Sequence, residues 1–178
     1  MRVISGRWRG RAIKAPAGEA TRPTSDRARE AIFSMLASRI GSFEGLGALD
    51  LFAGTGALGI EALSRGAGSA CFVDNDAAAV KAIKANLVAL GAAGDVRQSP
   101  VASLGAAIRA HHVVFLDPPY GLGLADPALS HLHERGWIAP GALISVETAA
   151  ADPLTCDWER VVERRFGKAL VRLLRAPA

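Results

Sequence analysis

From Gly41 onward the sequence alternates between short apolar runs and amphipathic segments with a regularity that few folds accommodate. Its patterning predicts strand 48–52, helix 57–64, strand 70–74, helix 77–90, strand 96–99, helix 101–110, strand 112–116, helix 127–135 and strand 142–147. Runs such as Val113-Val-Phe-Leu116 are apolar throughout rather than alternating, as in strands covered on both faces. Strands separated by helices imply a parallel, doubly wound sheet with right-handed crossovers. The pattern then changes. Two strand-like runs, 158–166 and 169–175, meet at Gly167 and Lys168 and predict a closing antiparallel hairpin. The expected fold class is therefore α/β and Rossmann-like: a seven-stranded, mostly parallel sheet with a C-terminal antiparallel hairpin.

The first part of the chain is of another kind. Val3-Ile-Ser-Gly6 and Arg11-Ala-Ile-Lys14 flank a glycine-punctuated centre, which predicts an N-terminal β-hairpin followed by a loop through Pro16, Gly18 and Pro23. A helix follows, capped by Thr24 or Ser25, with Ala28, Ile32, Met35, Leu36 and Ile40 at helical spacing. The chain thus divides into a basic arm over 1–23 and one compact unit over 24–178.

Charge sharpens that division. Residues 1–30 hold eight basic groups against three acids, whereas the other 148 residues hold 13 against 14. The excess positive charge sits at one end, the pattern of an arm that meets a polyanion or of a solvated basic tail. Arginine predominates, and Trp8 lies among Arg7, Arg9 and Arg11. Guanidinium groups fork phosphates and stack on bases, which favours nucleic acid. The longest stretch without a charged residue is eleven residues, short of a membrane span. No apolar leader opens the sequence, and two cysteines, Cys71 and Cys156, suggest no disulfide framework. A cytoplasmic location is expected.

Two motifs carry chemistry. LDLFAGTGALG at 49–59 lies where the first strand of the alternation turns into a helix, with Gly54, Gly56 and Gly59 in G-x-G-x-x-G spacing. Such glycines let the backbone turn tightly and approach a ligand at the carboxyl edge of the sheet. Asp74 ends the next strand and is placed to accept from ribose hydroxyls. A nicotinamide dinucleotide would use the same fingerprint, but Asp50 beside the turn would repel a pyrophosphate and suit an ammonium group. S-adenosylmethionine has a ribose, an adenine and a cationic amino-acid end, and fits both acids.

The second motif is Asp117-Pro-Pro-Tyr120, after the fourth predicted strand and on the same edge. An exocyclic base amine is a poor nucleophile because its lone pair is delocalised into the ring. A site that methylates it must hold it with acceptors and aim the lone pair. Asp117 and the carbonyl of Pro118 offer acceptors, the two prolines remove backbone donors, and Tyr120 offers a face for a base taken out of its stack. Of the remaining candidates, the histidines 111, 112, 131 and 133 form no zinc-ligand pattern with the cysteines. Cys71 reads as a small buried hydrophobe, and Glu61 with Arg65, at i and i+4, as a surface ion pair.

The segments RVISGRWRGR at 2–11, RPTSDRARE at 22–30, LDLFAGTGALGIEALSR at 49–65 and DPPY at 117–120 resemble those of the RsmD family of bacterial 16S ribosomal RNA guanine-N2 methyltransferases. The resemblance runs nearly end to end. DPPY is shared with adenine and cytosine amino-methyltransferases and conveys the reaction type; RPTxDRxRE is the family-specific part. The resemblance implies S-adenosylmethionine as methyl donor, no metal, and N2 of a guanine in 16S ribosomal RNA, within an assembled or assembling small subunit, as acceptor. A monomer is expected. Asp50, Phe52, Ala53, Gly54, Thr55 and Gly56 would line the methionine end of the cofactor, and Asp74 with Asn75 the ribose and adenine. Where the family's usual Asp or Asn meets the adenine amino group this chain has Pro100, which leaves the backbone N–H of Val101 to reach the adenine ring. Asp117, Pro118, Pro119 and Tyr120 would hold the guanine. Arg22, Thr24, Arg27 and Arg29 would lie across the site mouth, and Arg7, Trp8, Arg9 and Arg11 would meet RNA. The rivals are a DNA adenine or cytosine amino-methyltransferase, a nicotinamide-dependent oxidoreductase, and an RNA-binding assembly module without turnover.

Overall fold

A computed structural model of the chain describes residues 1–16 and 25–178. Among these, helix α1 (Asp26–Ile40) is followed by β1 (Gly47–Leu51), α2 (Ala57–Ser64), β2 (Ser69–Asp74), α3 (Ala77–Leu90) and β3 (Asp95–Gln98). Then come β4 (His111–Leu116), α4 (Ala125–Glu134), β5 (Ile138–Ala149), β6 (Glu159–Phe166) and β7 (Ala169–Arg175). The strands form one seven-stranded sheet in the order β3-β2-β1-β4-β5-β7-β6. β1 to β5 pair in parallel, and β7 enters antiparallel between β5 and β6. The expected sheet and its closing hairpin are both present.

The order reverses at β1, whose neighbours are β2 and β4, so the carboxyl ends of β1 and β4 flank the switch point where doubly wound sheets bind ligands. Helices cover both faces over two apolar clusters. One gathers Phe33, Ile60, Phe72 and Phe115, the other Leu49, Val114, Leu129 and Trp137. Strands β1, β2 and β4 contribute to both clusters, which is why they read as apolar runs. Gly59 is the point of closest approach between α2 and the sheet: a Cβ there would lie 2.3 Å from the Phe72 ring. Among the described residues no helix is long and apolar enough to cross a membrane.

Helices α2 and α3 have the predicted bounds, and Ser25 rather than Thr24 caps α1, its side chain accepting from the Ala28 N–H. Thr24, like the rest of 17–24, lies outside the described residues. The helix expected over 101–110 is a correction: only a 3-10 turn, Val101–Ser103, forms. Leu104 and Gly105 end it, because their carbonyls are taken by side chains, His131 Nε2 at 2.8 Å and Trp137 Nε1 at 2.9 Å. Strand β5 starts earlier than expected, its pairing with β4 shifting register between His111 and Val113.

The predicted N-terminal hairpin is reduced to one β-bridge, Arg2 to Ala12, with flanking main-chain bonds such as Val3 N–H to Arg11 O. Its backbone is committed elsewhere. The N–H groups of Ile4 and Ser5 donate to the two carboxylate oxygens of Glu61 at 2.8 and 2.9 Å, and Arg65 Nε donates to the same carboxylate at 2.9 Å. Glu61 is 0% exposed, so the expected surface pair is a buried clamp between the arm and α2. Val3 and Ile13 enter the core, and Gly6 approaches α2 so closely that a Cβ would sit 1.9 Å from the Ser64 carbonyl oxygen.

Candidate active site

After β1 the chain turns sharply through Phe52, which among the described residues is the one non-glycine residue with positive φ, at 55°. Strain of this kind concentrates at ligand sites, where the surrounding structure holds it in place. Here the turn is fixed from the neighbouring strand. Asp74 accepts the Gly54 N–H at 2.8 Å on one oxygen and the Asp76 N–H at 2.9 Å on the other, and Ala53 N–H donates to Val73 O. Asp74 therefore braces the turn as well as facing the ligand position predicted for it; a carboxylate has lone pairs for both.

Asp50, within β1, is 2% exposed and accepts the Gly59 N–H, one of the open donors in the first turn of α2, at 2.8 Å. Burial pushes its carboxyl well above the usual range, and the nearby Asp117 and Asp74 push it further, against the lowering effect of the Gly59 hydrogen bond. A cation arriving beside it would relieve that penalty.

At the end of β4, Asp117 is half-buried, Pro118 buried, Pro119 exposed and Tyr120 half-buried. The Tyr120 hydroxyl donates to Glu147 Oε1 at 2.7 Å. Glu147 lies on β5, one step past the Val146 that pairs with Leu116, so the register sets it beside Asp117. The following loop is pinned where Asp152 accepts the Gly121 and Ala149 N–H groups.

These groups line one cleft of about 470 Å³, bringing together Asp50, Phe52, Ala53, Gly54, Thr55, Asp74, Asn75 and the whole of Asp117 to Tyr120. Gly56, the N-cap of α2, is not among the residues that line it. A smaller, mostly apolar pocket of about 200 Å³ shares Phe52, Asp74 and Asn75 and continues to Pro100, Val101, Leu124 and Pro127. Val101 and Pro100 thus lie at the predicted adenine end. Sequence reasoning missed Glu147 and Met1, both of which line the cleft. An acid at the carboxyl end of the strand next to Asp117 was a usable signal for Glu147; nothing local marked Met1.

The RNA-contact candidates scatter. Arg29 is fully buried, its guanidinium donating to Asp26, to the Arg2 carbonyl and toward the Met1 sulfur. Its expected place at the site mouth is a correction, since a side chain with no exposed surface braces the arm instead of touching RNA. Arg7 donates to Leu63 O and lies 4.2 Å over the Trp8 ring, and Arg11 donates to Ala89 O. Both sit at helix C-termini, where carbonyls are unpaired and the dipole favours cations. That places the arm's tip at the amino edge of the sheet, about 12 Å from the cleft by the length of α2. Arg9 and Arg27 are exposed, and Arg22 lies outside the described residues.

The fit to a cofactor can be tested by charge. Among the described residues, those lining the larger cleft include Asp50, Asp74, Asp76, Asp117 and Glu147 and no lysine or arginine. Such a cleft repels a pyrophosphate and attracts a sulfonium and an ammonium group, and the apolar pocket next to it suits a flat base. Among the described residues no three His, Cys, Asp or Glu side chains are grouped to hold a metal ion. The fold and this cleft define a methyltransferase of the S-adenosylmethionine-dependent class.

The family described as Conserved hypothetical protein 95 matches residues 1–175. The chain belongs to that family, the RsmD family that its motifs resemble. It is 37% identical over 183 residues to Ribosomal RNA small subunit methyltransferase D of Escherichia coli, covering 100% of this chain and 91% of that one. The solved structure of the Escherichia coli protein yhhF superposes with a TM-score of 0.87 at 37% identity, covering 100% and 98% of the two chains. An RNA methyltransferase of Salinibacter ruber, solved with S-adenosyl-L-homocysteine, shares the fold with a TM-score of 0.68 at 18% identity, covering 87% of this chain and 94% of that one.

Proposed function

We propose that this enzyme is an RNA methyltransferase that transfers a methyl group to the exocyclic N2 amine of a guanine in 16S ribosomal RNA, in the setting of the small ribosomal subunit. The observation that carries the choice of base is that Asp117 and Glu147 line one cleft with no lysine or arginine among its described lining residues. Guanine presents N2–H donors beside an N1–H donor, and a carboxylate-rich pocket meets adjacent donors with charge-assisted hydrogen bonds. Adenine and cytosine place their amine beside a bare ring nitrogen, so one carboxylate could accept from the amine but the second would meet no donor. The 37% identity to a small-subunit ribosomal RNA methyltransferase supports the same reading.

When bound, S-adenosylmethionine supplies the methyl group on a cationic sulfonium and leaves as the neutral thioether. Asp50 would hold its ammonium end, Asp74 and Asn75 the ribose, and the Pro100 to Val101 segment the adenine. Asp117 and the Pro118 carbonyl orient the amine, and Asp117 is the carboxylate at hand for the proton released after the methyl arrives. Tyr120, its hydroxyl tied to Glu147, presents its ring to the extruded base. Catalysis by this set is positioning and electrostatics. Arg7, Trp8, Arg9 and Arg11 would touch RNA at a distance from the reacting base, and the protein would act as a cytoplasmic monomer.

The test is transfer of labelled methyl to RNA in small subunits from cells lacking this protein, with the product nucleoside identified by mass spectrometry. N2-methylguanosine is the expected product. Label in adenine or cytosine, or in duplex DNA, would overturn the assignment. The Asp117→Ala variant should lose transfer by at least about 100-fold while binding S-adenosylmethionine as before; loss of both together would remove Asp117 from the chemistry.

A further inference from the structure

The cleft is acidic, so the phosphates around an extruded guanine must be held elsewhere. We propose that the groove between the first turn of α1 and the tip of the β6–β7 hairpin binds the RNA backbone flanking the target nucleotide. This proposal rests on the RNA reading above. The groove, about 630 Å³ and open to solvent, is lined by Ser25, Arg27, Arg164, Arg165, Phe166 and Gly167. Of these described lining residues three carry a guanidinium and none carries an acid.

Its position follows from the topology. Strand β7 begins opposite the carboxyl end of β5, with Ala169 paired to Ala149, and the Ala150 N–H donates to the Lys168 carbonyl. The hairpin tip therefore stands on the same edge of the sheet as Asp117 and Glu147, unlike the tip of the N-terminal arm. The other wall is tied to the cleft as well. Arg29, two residues beyond Arg27, binds the Arg2 carbonyl and the sulfur of Met1, and Met1 lines the cleft. A strand whose base enters the cleft is thus brought past this groove.

The charge pattern of the hairpin separates these arginines from their neighbours. Arg172 and Arg175 are neutralised by Glu163 and Glu159 at 3.0 and 3.2 Å. Arg27, Arg164 and Arg165 are exposed, and among the described residues none forms an ion pair with a carboxylate. The Arg165 Nε donates to Gly167 O at 2.9 Å, which folds that side chain across the tip and leaves its terminal nitrogens for a ligand. Phe166 packs against the core and floors the groove. Unneutralised guanidinium groups spaced along an open groove match a phosphate chain.

The experiment compares wild type with R164A/R165A and with R27A, using small subunits from cells lacking the protein as substrate. Removing one guanidinium from a phosphate should reduce the slope of log affinity against log salt by about 0.7 for single-stranded RNA, so the double variant should show a slope smaller by about 1.4. Its KM for RNA should rise about tenfold or more at low salt, with kcat at saturating RNA and the dissociation constant for S-adenosylmethionine unaltered. An unaltered salt slope and KM would overturn the proposal. So would an equal fall in kcat and cofactor affinity, which would mark the hairpin tip as structural support for the cleft. A wild-type protein that methylates no RNA would overturn the reading underneath, a failure seen before any variant is compared.

Discussion

Glu61→Ala removes the carboxylate that joins the arm to α2. The side chain is fully buried and receives three hydrogen bonds of 2.8 to 2.9 Å, two from backbone N–H groups and one from a guanidinium. Truncation leaves two amides and Arg65 without their acceptor. Breaking a buried charged pair by removing one partner costs about 3–5 kcal/mol, and each orphaned backbone donor would add about 1 kcal/mol if the arm stayed in place. The arm can instead lift off and hydrate its amides, so the loss should settle near about 4 kcal/mol, a large share of the roughly 5–15 kcal/mol typical of a domain. In a chain of this length that lowers Tm by about 8–16 °C. Urea denaturation measures the loss, and hydrogen exchange at Ile4 and Ser5 reports whether the arm detaches. Because Met1 lines the cleft, a detached arm should also weaken cofactor binding. A variant within about 1 kcal/mol of wild type, with those two amides still protected, would refute the clamp.

Other predictions concern the cleft and its support. Burial raises the Asp50 carboxyl, so the folded protein holds a proton there that the unfolded chain has lost, and this contribution to stability declines as pH rises through the window between the ordinary carboxylate range and the raised value. A bound ammonium group favours the ionised form, so S-adenosylmethionine should bind more tightly as pH rises through that window and release a proton. Calorimetry in buffers of different ionisation enthalpy would detect it, and Asp50→Asn should flatten the profile; a pH-independent wild type would sink the assignment. Gly59→Ala places a methyl group 2.3 Å from the Phe72 ring and should cost about 1–3 kcal/mol in thermal or urea unfolding, whereas an unaltered Tm would show that α2 can shift freely. Pro100→Asp adds an acceptor to the small apolar pocket and should tighten cofactor binding several-fold; an unaltered dissociation constant would mean that the adenine amino group finds its partner elsewhere.

Much of the fold is written in local patterns. The apolar runs of β1, β2 and β4 and the amphipathic α2 and α3 can be read directly, because each element's burial follows its own period. The cleft was legible for a related reason: Asp74 and Asp117 sit at strand ends and Asp50 one residue before another, and a parallel sheet puts those ends on one edge. What escaped depends on partners remote in sequence. Glu61 and Arg65 have the spacing of a surface pair, and nothing near them shows that backbone donors more than fifty residues upstream arrive to bury the carboxylate. Arg29 looks like one more basic residue until the Arg2 carbonyl and Met1 close over it. The segment after β3 has helical composition, but His131 and Trp137 capture the carbonyls a helix needs.

The sheet order also bears on how the chain is made. The last strand in sequence, β7, is an interior one, paired on one side with β5 and on the other with β6. During synthesis β5, with its twelve residues, is complete about twenty residues before its partner begins, so one long edge stays open while the nascent chain emerges. An open apolar edge invites pairing with another chain. Loss of even the last ten residues would leave that edge permanently bare, so a C-terminal truncation should yield aggregates rather than a smaller folded enzyme.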